Sequence, residues 1–185
     1  MPYIQLKEDL PGITGLLDYR LDTALPIRQL THLLLRGEST LTEGERELIA
    51  TVVSHGNECR FCTAAHTAAA NAWLPDPAIA EQVKTDITTA AVSGKMKALL
   101  TIAKATGKSG RLVTPEMVEA ARKEGASDRE LHDTVLIAAL FSLYNRYVDG
   151  LASVTPDEPA FYDRLGGILQ KKGYLPSEDR YAGLV

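Results

Sequence analysis

The residues best suited to chemistry lie in one short stretch, residues 54–66, which holds both cysteines of the chain. Two residues separate Cys59 from Cys62, and His66 follows four residues after Cys62. Thiolate is the reactive form of cysteine, and the thiol pKa falls at a helix N-terminus, beside a cationic histidine or within a C-x-x-C pair. All three conditions are met by the sequence, which predicts a redox-active pair. We expect the Cys62 thiolate to persist below the ordinary cysteine pKa of about 8.5.

The residues around and after the cysteines predict a helix of about 58–73, because they are rich in strong helix formers and contain no glycine or proline. Asn57 is the predicted N-cap. On such a helix Cys59, Cys62 and His66 are spaced i, i+3 and i+7, so all three project from one face. Helix neighbours at i and i+3 have β-carbons roughly 5–6 Å apart, against the roughly 3.5–4.5 Å of a relaxed disulfide. A disulfide here is therefore expected to be strained and readily reduced.

A structural zinc site is the alternative for the same residues. Cys59, Cys62 and His66 would supply three ligands, and His55 is the obvious fourth. Redox chemistry is favoured because structural zinc usually recruits a second, distant ligand pair, and the chain has no further cysteine. Haem attachment is excluded, since a C-x-x-C-H motif needs histidine where Thr63 stands.

Composition predicts a single soluble domain over residues 1–185 in the cytoplasm. Hydrophobic content of 45% and charged content of 24% are ordinary for a globular protein. The net charge of −4 with interspersed signs gives no basic patch, which argues against a nucleic-acid partner. The first residues lack a signal-peptide pattern, and no apolar run reaches the roughly 18 residues of a membrane span. A lone C-x-x-C in such a protein is typical of a catalytic or metal-binding pair.

Every sustained hydrophobic pattern has the period of a helix, which predicts an all-α fold of about seven to nine helices and excludes a thioredoxin setting for the cysteines. An N-terminal arm of about 1–20 is expected to contain a short helix, Ile13–Tyr19, and a polar tail to occupy about 173–185. A helix beginning at Pro26 has an apolar stripe formed by Ile27, Leu30, Leu33 and Leu34. The other predicted helices span about 43–54, 58–73, 75–83, 93–106, 115–125, 128–149 and 158–171.

Two capping boxes mark predicted helix starts, Thr42-x-x-Glu45 before the helix of 43–54 and Ser127-x-x-Glu130 before that of 128–149. The middle of the second helix, residues 135–141, is apolar on every side. Such a helix is buried in the core or in a subunit interface. We therefore expect a homo-oligomer.

Glu47 lies twelve residues before Cys59, so the sequence reads Glu-x11-Cys-x2-Cys-x3-His. With the flanking stretches 41–48 and 141–150, this pattern resembles the active site of the alkylhydroperoxidase D (AhpD)-like proteins of the carboxymuconolactone decarboxylase family, in their peroxidase-related branch. The resemblance extends over about residues 10–175. One departure is Phe61, which stands where the best-known member has a histidine between the cysteines.

The resemblance implies an all-helical, homo-oligomeric thiol peroxidase. By that resemblance Cys62 attacks a hydroperoxide, Cys59 resolves the product as a disulfide, His66 is the base, and Glu47 orients or recharges His66. The sequence has no flavin or nicotinamide fingerprint, so no cofactor is expected, and electrons come from a thiol protein or a small dithiol. Two alternatives remain open: a lactone decarboxylase on the same fold, and a zinc-bound or redox-sensing helical module that acts through a partner.

Overall fold

The computed structural model describes residues 1–7 and 10–176, and it confirms the all-α fold. Within these residues there are nine α-helices, one 3₁₀ turn at Gly110–Leu112 and no strand. The helices are α1 (Ile13–Tyr19), α2 (Leu21–Arg36), α3 (Glu43–Gly56), α4 (Arg60–Asn71), α5 (Ala78–Thr85), α6 (Gly94–Lys108), α7 (Pro115–Lys123), α8 (Asp128–Gly150) and α9 (Pro159–Lys172).

The centre of the fold is α3, which begins at the predicted capping box. The Glu45 amide donates to the Thr42 hydroxyl over 3.2 Å, and the Glu45 carboxylate accepts from the Thr42 amide over 2.8 Å. From Arg46 to Ser54 every residue is buried, because α3 is packed against α2, α4, α5, α6 and α8. A helix buried on all sides must find internal partners for its polar side chains. Glu47 is one of these, with no exposed surface.

The longest helix, α8, begins at the second predicted capping box. Of its all-apolar middle, Ile137, Ala138, Leu140 and Phe141 are buried in the core of the chain, whereas Val135 is 38% exposed. Packing in the core of the chain therefore explains why most of this segment is apolar. Neither α8 nor any other helix in the described part of the chain is both long and apolar enough to cross a membrane.

Helix α2 differs from its prediction in start and in buried face. It begins at Leu21, and Pro26 lies inside it. The proline removes only a bond to a carbonyl of the first turn, which the helix tolerates. The predicted stripe is wrong in part, because Leu33 is 66% exposed and Leu30 37% exposed. The buried face consists of Ala24, Thr31, Leu34 and Leu35.

The described segments near both ends of the chain are packed against the body of the fold. The short helix of the predicted arm is confirmed at Ile13–Tyr19, and its first half is buried. Gly12 has φ of 61°, and a β-carbon there would overlap the ring of Phe61. Of the predicted polar tail, residues 177–185 lie outside the described residues. Its first residues turn back at Gly173, whose φ of 62° favours glycine and directs Tyr174 toward α3.

Candidate active site

The cysteines lie at a tight junction between α3 and α4. Asn57 is the C-cap of α3, Glu58 has φ of 60°, and Cys59 is the N-cap of α4 with extended backbone angles (φ −77°, ψ 99°). The predictions that Asn57 is the N-cap and that the helix begins near residue 58 are therefore wrong. The Asn57 amide is used to close α3 through a 3.0 Å bond to Val53, so α4 begins only after the turn.

Because Cys59 stands outside the regular helix, the spacing expected for helix neighbours does not apply to the cysteine pair. A strained disulfide therefore no longer follows, because that prediction assumed both cysteines to be neighbours on a regular helix. Both cysteines are free thiols, with Cys59 fully buried and Cys62 2% exposed. Cys62 occupies the first turn of α4, and His66 follows one turn later on the same face.

The Cys62 thiol is not poised to ionise by itself. A hydrogen bond with Cys59, burial and electrostatic repulsion from the Cys59 sulfur raise the pKa of Cys62 well above its ordinary value, and a hydrogen bond with Asn145 opposes them only partly. The expectation of a persistent thiolate below about 8.5 is therefore wrong for the reduced, unliganded site. Ionisation of Cys62 requires a base that takes its proton.

Such a base lies on the same helix. Nδ1 of His66 is 2.7 Å from Oε2 of Glu47, and both side chains are buried. An ionised carboxylate accepts at this distance, so Nδ1 is the donor and Nε2 is left to accept a proton. The His66 ring is held edge-on to Phe141, with centroids 4.4 Å apart. The structure thus brings together Glu47 and His66, as their spacing from the cysteines predicted.

Glu47 has two further partners that the sequence did not reveal. Arg36 and the hydroxyl of Tyr174 each donate to Oε1 over 2.6 Å. Burial opposes ionisation of the carboxyl, but the hydrogen bond from His66 and the charges of His66 and Arg36 lower the pKa of Glu47. Burial and the adjacent Glu47 charge raise the pKa of Tyr174 well above its ordinary value.

Cys62 and His66 line a small, mainly apolar cavity of about 50 Å³. Its walls come from α1, α2, α4, α8, α9 and Tyr174, two residues after α9. Its apolar lining includes Ile13, Leu17, Phe61, Phe141, Leu165 and Leu169. Cys59 is not part of this lining. A molecule in the cavity would therefore meet Cys62 first.

Cys59 contacts Asp149, which lines a separate polar cleft. Its lining includes Asn145, Arg146 and Asp149 of α8. Partial burial raises the pKa of Asp149, opposed by a hydrogen bond that Cys59 donates to it. Asn145 donates to Ser54 over 3.0 Å and accepts from Asn57 over 2.9 Å. Neither Asp149 nor Asn145 was predicted to contact the cysteines, because they lie some ninety positions away in the sequence.

Phe61 packs into an aromatic cluster with α9. Its ring is 5.9 Å from Tyr162 and 6.4 Å from Phe161, and it is 1% exposed. This position between the cysteines therefore contributes an apolar wall to the cavity and has no group that transfers a proton.

The residues of the zinc alternative do not form a metal site. His55 is exposed near the end of α3. Throughout residues 1–7 and 10–176, no three His, Cys, Asp or Glu side chains are grouped so as to hold a metal ion.

Comparison with known proteins agrees with the fold and with the pattern of the site. The family model described as the carboxymuconolactone decarboxylase family matches residues 26–105, which include Glu47, both cysteines and His66. No curated protein matches the chain significantly.

Two solved structures are similar over most of the chain. One is titled as the alkylhydroperoxidase AhpD core of an uncharacterized peroxidase-related protein from Ralstonia eutropha JMP134, with a TM-score of 0.75, 26% identity, and coverage of 90% of this chain and 95% of that chain. The other is an uncharacterized peroxidase-related protein from Silicibacter sp. TM1040, with a TM-score of 0.74, 25% identity, and coverage of 83% and 78%.

The all-helical fold, the C-x-x-C pair and the buried Glu47–His66 pair agree with the resemblance to the AhpD-like proteins that the sequence pattern indicated. The family match covers less than half of the chain, and the two solved structures share its fold over most of its length. The chain is therefore similar to the AhpD-like proteins of the carboxymuconolactone decarboxylase family.

Proposed function

We propose that the chain is a thiol-dependent peroxidase that reduces hydroperoxides through a Cys59–Cys62 disulfide cycle. The observation that carries the proposal is the cavity that Cys62 and His66 line together, with Glu47 fixing the His66 ring from behind. A nucleophile, a base and a residue that orients the base are the parts that covalent thiol catalysis needs.

The first step is attack by Cys62 on the peroxide. His66 takes the thiol proton at Nε2, the sulfur attacks one peroxide oxygen, and the O–O bond breaks. The products are Cys62 sulfenic acid and an alcohol, whose oxygen receives a proton returned by His66. The raised pKa of Cys62 makes this base necessary, because a protonated thiol is a weak nucleophile.

The second step is resolution by Cys59. Its sulfur attacks the Cys62 sulfenic acid, which forms the disulfide and releases water. Asp149, which accepts the hydrogen bond of the Cys59 thiol, takes that proton, and the proton then passes to the leaving hydroxide, which departs as water. Two thiols of an external reductant then return the disulfide to the dithiol form by exchange, and the reductant leaves as a disulfide. This cycle fits a cytoplasmic location, where thiol reductants are abundant.

The cavity favours an organic hydroperoxide over hydrogen peroxide. Seven of its lining side chains are aliphatic or phenyl groups, so an alkyl or aryl substituent is stabilised by leaving water there. The lactone decarboxylase alternative comes second, because that chemistry needs no redox pair and both cysteines are present at this site.

Steady-state turnover tests the proposal. The reduced protein is mixed with cumene hydroperoxide or hydrogen peroxide and with dithiothreitol as a chemically simple dithiol. We expect turnover of both, with a higher kcat/KM for cumene hydroperoxide, and none in Cys62→Ser. Absence of turnover in the wild type with dithiothreitol and with a thioredoxin-type protein reductant would reject the peroxidase. A Cys62→Ser variant with full activity would also reject it.

A further inference from the structure

Both carboxylate oxygens of Glu47 are occupied, and they serve different partners. Oε2 accepts from His66 over 2.7 Å, while Oε1 accepts from both Arg36 and Tyr174 over 2.6 Å. The carboxylate has no exposed surface. With both oxygens fixed, it cannot rotate to offer His66 a different atom.

The burial of Arg36 at this site costs free energy of desolvation. Its side chain is 8% exposed, and its Nε is buried without a partner among the described residues. The guanidinium lies 5.0 Å from the ring centroid of Tyr174 and 5.6 Å from that of Trp73. A buried ion pair is weak evidence for stability, because desolvation offsets most of its attraction. A role in setting the proton affinity of the Glu47–His66 pair explains the buried position of Arg36 better than a role in stability does.

We infer that Arg36 and Tyr174 are positioning residues, which act through Glu47 to set the tautomer and the proton affinity of His66. For its role in catalysis this inference rests on the proposed function, in which His66 is the base. An unneutralised carboxylate would hold the histidine as an imidazolium, which cannot accept a further proton. The Arg36 charge and the Tyr174 hydroxyl weaken this stabilisation of the imidazolium. Oε2 remains in place to accept the hydrogen bond from Nδ1.

Other charged and titratable groups face the same cluster, and all of them remain unchanged in the variants below. They belong to α2, α3, α4 and α8 and comprise Arg28, His32, Glu43, Arg46, Cys62 and Tyr144. Removal of the Arg36 charge should therefore be the largest single change available to the Glu47–His66 pair.

The direct test is a titration of the His66 ring, followed by ¹⁵N NMR and assigned with His66→Gln. In the wild type we expect the neutral ring to carry its proton on Nδ1. In Arg36→Gln the pH at which the ring takes up its second proton should rise by on the order of one unit, because an opposing charge has been lost. Arg36→Lys keeps the charge and should stay near the wild type. Tyr174→Phe should shift the titration in the same direction by less.

Tyr147→Phe is the matched control, because the Tyr147 hydroxyl donates to the carbonyl of Leu16 and is remote from Glu47. It should leave the His66 titration unchanged. Should Arg36→Gln fail to fold, Tyr174→Phe still decides the matter. An unchanged titration in Arg36→Gln, or in Tyr174→Phe where Arg36→Gln does not fold, would overturn the inference.

The kinetic readout separates this inference from the proposed function. In the pH profile of cumene hydroperoxide reduction, the acid limb should move upward with the His66 titration in each variant. A merely structural loss would lower kcat/KM equally at all pH values. If the wild type reduces no peroxide, the proposed function fails, and the NMR titration still tests the positioning role.

Discussion

The two thiols have different neighbours, and this difference predicts different roles. Cys62 lines the cavity with His66, whereas Cys59 donates a hydrogen bond to Asp149. In Cys59→Ser we expect one attack per chain and a sulfenic acid on Cys62 that no neighbour resolves. In Cys62→Ser we expect no reaction. Trapping with a dimedone-type reagent checks both, and a label on Cys59 in Cys62→Ser, with none on Cys62 in Cys59→Ser, would reverse the roles.

The raised pKa of Cys62 predicts its alkylation behaviour. A thiol whose pKa is raised is protonated at neutral pH, so labelling of Cys62 by iodoacetamide should be slow at pH 7 and should increase only at alkaline pH. Asn145→Ala removes a hydrogen bond that favours the thiolate and should shift this increase to still higher pH. Asn71→Ala, in the last turn of α4, is the control. Peptide mass spectrometry measures the label, and an inflection below about 8.5 would contradict the account.

At the scale of elements, the Glu130 carboxylate stabilises the start of α8 through more hydrogen bonds than its capping box alone supplies. Glu130 is 3% exposed and accepts from Lys95, Thr40 and Ser127. Burial opposes its ionisation, yet the hydrogen bonds from Lys95, Ser127 and Thr40 lower the pKa of Glu130 to about 2. The ionised form is therefore favoured in the folded state.

The depressed pKa of Glu130 predicts a pH-dependent contribution to stability. A carboxylate with a lowered pKa stabilises the fold above its unfolded pKa, and this stabilisation is lost as pH falls through the folded value. Glu130→Gln should cost roughly 2–3 kcal/mol at pH 7, and the difference from wild type should shrink between pH 4.5 and about 2.

Urea unfolding between pH 7 and pH 3 measures this effect. Glu45→Gln is the matched control, because Glu45 has the same capping position in α3 and makes no ion pair with any described residue. A difference in the free energy of unfolding between Glu130→Gln and wild type that does not change with pH would show that the Glu130 charge contributes nothing to stability.

Local sequence patterns predicted the helices well, whereas contacts between residues far apart in the sequence were not predicted. Capping residues placed the starts of α3 and α8 correctly, because the bonds that define them join residues three positions apart. The entry to α4 was misplaced because Asn57, a good N-cap by type, is used to end the preceding helix. Cys62 and His66 were found from their spacing, and Glu47 only from the resemblance to the family pattern. Arg36 and Tyr174 were not, since they lie 11 and 127 positions from Glu47 and no local pattern marks them.

At the scale of the whole molecule, the outward face of α2 supports the proposal of a homo-oligomer. It exposes four leucines, which are 37–70% exposed: Leu21, Leu25, Leu30 and Leu33. These four leucines lie within one half of the helix circumference, and a monomer seldom leaves a large apolar surface in water. We propose this face as the subunit contact, in place of the apolar middle of α8, which the core accounts for.

Sedimentation velocity tests the subunit contact. Wild type at micromolar concentration should sediment as an oligomer, and Leu25→Glu with Leu33→Glu should give folded monomers. Leu112→Glu, at a residue 50% exposed on the 3₁₀ turn, should leave the assembly unchanged. A monomeric wild type would remove the proposal, and an oligomer that survives the double substitution would move the contact elsewhere.

The central claim is that one hydroperoxide is reduced at the expense of two thiols on one chain. The most direct measurement adds one equivalent of cumene hydroperoxide per chain to the reduced protein under anaerobic conditions, then quantifies the alcohol and the intact protein mass. The account predicts one alcohol per chain, a mass lower by two hydrogens, a Cys59–Cys62 disulfide in the peptide map, and full recovery of both thiols with dithiothreitol. Unconsumed peroxide with both thiols intact, or alcohol formed without loss of thiols, would contradict it.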